Sequence, residues 1–120
     1  MSIKLEGLRT VIYPAPNVEL AKEWWSNFLG ISPYFDRPFY VGYDVGGYEL
    51  ALMPTADPTN GALVYWGVSD VPEAVEAAIK TGSIEHIAAA DVGDGIVTAT
   101  VRTPGGMILG LISNPNFNPA

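Results

Sequence analysis

Apolar and polar positions along the chain alternate between two textures. "LRTVIYPAPNVELAKEWWSNFLGI" (residues 8–31) opens on an apolar stretch, and from Asn17 onward apolar residues recur at helical spacing. That spacing predicts a helix with Val18, Ala21, Trp25 and Phe28 facing a sheet. Asn17 is its expected N-cap and Gly30 its stop, where a left-handed backbone is cheap for glycine. "PFYVGYDV" and "YELALMP" then read as strands joined by "GG", a hairpin signal. Asp36 and Arg37 read as an ordinary turn pair.

The texture then repeats. "ALVYWGVSDVPEAVEAAIKTGSI" (residues 62–84) echoes residues 8–31: an apolar stretch, a cap at Asp70 with Glu73 three residues on, and a helix stopping at Gly82. "IEHIAAADV" and "GIVTATVRT" flank a "GD" turn, and "MILGLIS" follows "PGG". Each half therefore reads strand, helix, then three strands. The expected fold is α+β, a single domain over 1–120. It contains two βαβββ modules, about 5–53 and 62–113, joined by a Pro- and Asn-rich linker at 54–61. Their sheets are expected to form a cup, with the helices on the outer face.

Composition narrows the function. There are no cysteines, so disulfides and thiolate sites are excluded. Six Lys and Arg against thirteen Asp and Glu give a formal charge of −7, which argues against nucleic acid as a partner. No stretch approaches the ~20 apolar residues of a membrane span, so a cytoplasmic protein without membrane contact is expected.

The stretches "VIYPAPNVELAKEWWSNFLG", "YVGYDVGGYELAL", "GVSDVPEAVEAAIKTG" and "TPGGMILGLISNP" resemble the vicinal oxygen chelate superfamily of glyoxalases, bleomycin-resistance proteins and extradiol dioxygenases. The resemblance implies four metal-ligand positions, on the opening and closing strands of each module. Counted from the caps, the opening-strand positions fall on Thr10 and Leu63. The final closing-strand position falls on Gly110, and the remaining one near Glu49 or Ala51. At most one strong ligand survives, so no metal and no other cofactor is expected. Gly110 reads as a hole left by the lost ligand.

The other candidates are few. Glu49 is the best general base, and His86, the only histidine, reads as a structural residue rather than a catalyst. Tyr40 and Tyr43 lie on opposite faces of one strand, and Tyr65 shares the cup side with Leu63 and Gly67. The leading expectation is a protein that binds or sequesters a small organic molecule, aromatic or cationic, in a cup lined by Thr10, Tyr40, Glu49, Leu63, Tyr65 and Gly110. Superfamily members of this length commonly pair, so a homodimer is expected. The alternative is a lyase or isomerase of glyoxalase type using Glu49 or His86, with or without a divalent metal. A third reading is a ligand-free assembly protein.

Overall fold

Capping chemistry sets both helices of the computed structural model, which describes residues 3–117. Strand β1 (Leu8–Pro14) leads into α1 (Val18–Leu29), where the Asn17 side chain accepts from the Leu20 N–H. Gly30 closes α1 at φ 71°, in the left-handed region. Strands β2 (Phe35–Arg37), β3 (Tyr40–Val45) and β4 (Tyr48–Met53) follow. A 3₁₀ turn at Pro58–Asn60 precedes β5 (Leu63–Gly67) and α2 (Val71–Lys80). Asp70 caps α2 by accepting from the Glu73 N–H. Strands β6 (Ile84–Asp91), β7 (Val97–Arg102) and β8 (Ile108–Ser113) complete the order. The fold is α+β with mixed strand pairing.

The chain divides into two units, each a βαβββ arrangement. In Thr10–Leu63 the strands lie in the order β2-β3-β4-β1, with β1 parallel to β4 and the other pairs antiparallel. Gly46 and Gly47 join β3 to β4 with φ of 62° and 88°, the double left-handed turn that suits strand twist. Val41, Tyr43 and Leu52 form the core with Ala15, and α1 covers them with Val18, Ala21, Trp25 and Leu29. Tyr43 is fully buried, and its hydroxyl lies 2.8 Å from Ser26 Oγ and donates to the Lys22 carbonyl at 3.1 Å.

The second unit joins residues 3–9 to Val64–Phe117, with strands in the order β5-β8-β7-β6. Here β5 runs parallel to β8, and the remaining pairs are antiparallel. Residues 3–9 belong here because Glu6 N–H donates to the Gly67 carbonyl and Gly67 N–H to the Gly7 carbonyl. Ile3 also packs against the core of Val68, Val71, Val75, Val101 and Leu111 beneath α2.

Three local expectations are corrected. Phe28 is exposed rather than packed on the sheet, and Leu29 takes that place. At 100° per residue Leu29 falls beside Val18 and Trp25, whereas Phe28 lies at the rim of the stripe. Asp36 and Arg37 belong to strand β2, and the turn falls at Pro38–Phe39. Asp36 instead accepts an ion pair from Lys22 at 3.2 Å. Finally α2 is capped by Thr81, with Gly82 following at φ 104°.

Candidate functional site

Alternation along β4 sends Leu50 and Leu52 toward α1 and Glu49 and Ala51 to the opposite face. Register places Thr10 beside Glu49 on one side and Asp44 on the other. On that face the Glu49 carboxylate gathers three hydroxyls. Its Oε1 accepts from Thr10 Oγ1 at 3.1 Å and from the Tyr40 hydroxyl at 2.7 Å, and its Oε2 accepts from the Tyr34 hydroxyl. Thr10 is only 6% exposed, so its hydroxyl needs this acceptor. Tyr40 and Tyr43 part to opposite faces, one toward Glu49 and one into the core, as a spacing of three requires.

Tyr34 reaches Glu49 because the loop before β2 folds back, its N–H donating to the Gly42 carbonyl at 2.9 Å. Gly42 makes room for this. A Cβ there would lie 2.7 Å from Glu49 Oε2 and 3.1 Å from the Tyr34 ring. Burial, then the hydrogen bond to Glu49 and the charges of Glu49 and Asp44, hold the Tyr34 hydroxyl well above its ordinary pKa. Tyr34 therefore keeps its proton and donates. Sequence reasoning missed its role, since it lies outside every strand and no periodicity ties it to Glu49.

The two carboxylates on this face accept hydrogen bonds, Glu49 from three hydroxyls and Asp44 from the Gly47 N–H at 2.9 Å, but neither has a cationic partner among the described residues. Asp44 and Glu49 are cross-strand partners, a destabilising placement for like charges. Among the described residues the ion pairs involve Glu6, Glu19, Asp36 and Glu76, and neither Asp44 nor Glu49.

In the second unit Tyr65 on β5 pairs with Gly110 on β8, which pairs with Thr100 on β7. His86 is exposed on β6, with Nδ1 2.9 Å from Thr100 Oγ1. Burial raises the Tyr65 pKa. Leu63 is half-buried at the first position of β5. Register, however, sets Tyr65 against Gly110 as it sets Thr10 against Glu49. By the same register Ile12 faces Ala51, so Tyr65 stands two residues after Leu63 as Ile12 stands two after Thr10.

The hole expected at Gly110 is not there. A Cβ built on Gly110 would lie 2.6 Å from the Val64 carbonyl oxygen and 2.7 Å from the Tyr65 ring. The missing side chain allows a close approach of β5 and does not open a cavity.

The donor set does not fit the metal that the superfamily's site implies. The counted positions hold Thr10 with Glu49 or Ala51 on one module and Leu63 with Gly110 on the other, and neither set approaches the three or four ligating groups of a dedicated site. Among the described residues no three of His, Cys, Asp or Glu stand together to hold a metal. At Glu49 three hydroxyl protons occupy three of the carboxylate's roughly four lone-pair sites.

No family model and no curated protein matches the chain. Solved structures do. A glyoxalase/bleomycin resistance protein/dioxygenase superfamily member from Vibrio splendidus 12B01 is 18% identical, with TM-score 0.65, over 88% of this chain and 97% of its own. Methylmalonyl-CoA epimerase from Mycobacterium tuberculosis is 16% identical, with TM-score 0.69, over 100% of this chain and 92% of its own. A variant of the Streptomyces coelicolor methylmalonyl-CoA epimerase, in complex with 2-nitronate-propionyl-CoA, is 12% identical, with TM-score 0.73, over 98% and 100%. Identities this low speak for architecture alone. The order βαβββ-βαβββ and these likenesses together give this chain the fold of the vicinal oxygen chelate superfamily.

Proposed function

We propose that the protein binds a small organic cation with aromatic character, using Glu49 as its anchor and no metal. The observation that carries this reading is the pair Asp44 and Glu49 on one sheet face, uncompensated by an ion pair and bordered by the rings of Tyr34 and Tyr40. A cation with N–H donors relieves the repulsion, takes the lone-pair site on Glu49 that three hydroxyls leave uncommitted, and stacks on the rings. Solved neighbours bind small organic ligands, methylmalonyl-CoA in one case and 2-nitronate-propionyl-CoA in another. An anionic thioester of that kind suits this acidic face poorly, so the ligand here belongs to the opposite charge class. The same reading makes the protein a cytoplasmic homodimer. Among the described residues, no helix is long and apolar enough to cross a membrane.

Thermal shift against cationic aromatic amines and amidines, with propionyl-CoA as the anionic comparison, tests the reading. The cations should raise the melting temperature, and Glu49→Gln should weaken their binding by about 10–100-fold, the worth of one charge-assisted hydrogen bond. Stabilisation by propionyl-CoA and by none of the cations would reject it.

A second reading, a lyase or isomerase, draws on the direct contact between a carboxylate acceptor, Glu49, and a proton-holding donor, Tyr34. It requires that a bound ligand exchange a C–H proton with deuterated solvent in the parent and not in Glu49→Gln.

A further inference from the structure

The helix α1 is apolar on two faces, and the fold uses only one. Val18, Ala21, Trp25 and Leu29 meet the core. On the outside Leu20, Trp24 and Phe28, spaced four apart, are 63%, 55% and 68% exposed. The Trp24 and Phe28 rings stack at 4.8 Å and 13°, forming one flat aromatic slab. A shallow groove of about 380 Å³ runs beside it, lined by Leu20, Glu23, Trp24, Asn27 and Phe28. The repeat supplies a control, because the outer face of α2 carries a single large exposed apolar residue, Ile79. Covering a sheet therefore needs one apolar face, and the second face of α1 is an addition.

We infer that the Leu20–Trp24–Phe28 stripe is the surface through which two copies of this chain pair, helix against antiparallel helix. The inference rests on the homodimer proposed above and says where it forms. A twofold axis through Trp24 sets Trp24 against its counterpart and each Leu20 against the other copy's Phe28. The stripe is thus complementary to itself, as a symmetric dimer requires. Flanking positions of antiparallel helices face their own kind, so Glu23 of each copy comes within reach of Asn27 of the other. The three side chains expose on the order of 400 Å² per copy, taking about 150–250 Å² for a whole aromatic side chain. With flanking residues this reaches the lower range of specific interfaces, where a weak, reversible dimer is expected. Both copies are acidic, with formal charge −7 each, so added salt should tighten the pair. A basic partner on the same stripe would show the opposite salt dependence.

Sedimentation equilibrium on the full chain at 50 and 500 mM salt tests this, with Trp24→Lys as the probe and Met107→Lys as the control. Met107 is comparably exposed and lies in the other unit. Both positions are at the surface, and circular dichroism verifies that each variant keeps the parent's fold. The expected result is a parent dimer that tightens with salt, a Trp24→Lys variant weakened by at least about thirtyfold, the size of one hot-spot loss, and an unchanged Met107→Lys. A parent dimer that Trp24→Lys leaves intact would overturn the assigned surface and leave the homodimer standing. A monomeric parent at hundreds of micromolar would overturn both. A parent dimer that weakens with salt would reject the apolar stripe as its cause. Should Trp24→Lys lose the parent's fold, Leu20→Lys replaces it under the same criteria.

Discussion

Gly110→Ala is expected to lower the melting temperature by roughly 5–12 °C, the effect of about 1–3 kcal/mol of overpacking in a chain of this size. The added methyl would meet the Val64 carbonyl oxygen at 2.6 Å and the Tyr65 ring at 2.7 and 2.8 Å. The first of these is backbone, and it belongs to a strand held in register with β8. Relief therefore requires separating two paired strands. Gly110→Phe should not give folded protein at all. Gly67→Ala makes a matched comparison. Its Cβ would lie 2.7 Å from the Arg9 guanidinium, the far end of a flexible side chain, so relief costs a rotamer change and the loss should be smaller. Differential scanning calorimetry on both variants ranks them. Equal losses at the two sites, or none at Gly110, would show that β5 and β8 tolerate a wider spacing than the geometry implies.

This glycine also shows where the sequence stops being legible. That no side chain stands at 110 is readable. Whether the vacated space is empty or filled is decided by atoms of β5, more than forty residues away, and by a register that no local pattern specifies. The same register sets Tyr65, not Leu63, opposite Gly110, a pairing that counting from helix caps does not supply. What depended on local chemistry was legible. Asn17, Asp70, Gly30 and the Gly46–Gly47 hairpin satisfy backbone groups within a few residues of themselves, and the strand–helix–three-strand repeat follows from them. Glu49 was legible as well, because period-two alternation places it on the face opposite Leu50 and Leu52. Its partner Tyr34 was not, since a loop brings it there. Phe28 failed for a geometric reason: one position of helical drift separates the covered stripe from the exposed one, and both are apolar.

Raising the pH should weaken the fold through the two tyrosines that resist ionisation. Tyr34 is held above its ordinary value by burial and by Glu49, and Tyr65 by burial. The sign follows from which state keeps its protons. Below about pH 10 both folded and unfolded chains are protonated at these hydroxyls, and the contribution is fully present. Above it the unfolded chain loses protons that the folded chain retains, so stability falls as pH rises toward the folded values. The melting temperature should therefore decline from about pH 10 upward, and an ultraviolet titration of tyrosinate should show late-ionising groups among the six tyrosines. Tyr34→Phe should remove one late step and flatten part of the alkaline decline. Gly42→Ala should act on the same step without deleting the hydroxyl. Its methyl would sit 2.7 Å from Glu49 Oε2 and displace a carboxylate at the end of a flexible side chain. Tyr34 would then ionise earlier than in the parent, because the methyl also meets the Tyr34 ring at 3.1 Å and disturbs both partners of the hydrogen bond. The cationic ligand should bind this variant more weakly as well, since the carboxylate no longer sits where Thr10, Tyr34 and Tyr40 hold it. A Tyr34→Phe titration with as many late groups as the parent would mean that Tyr34 is not held by Glu49 in solution, and the arrangement on which the ligand site is built would fall with it.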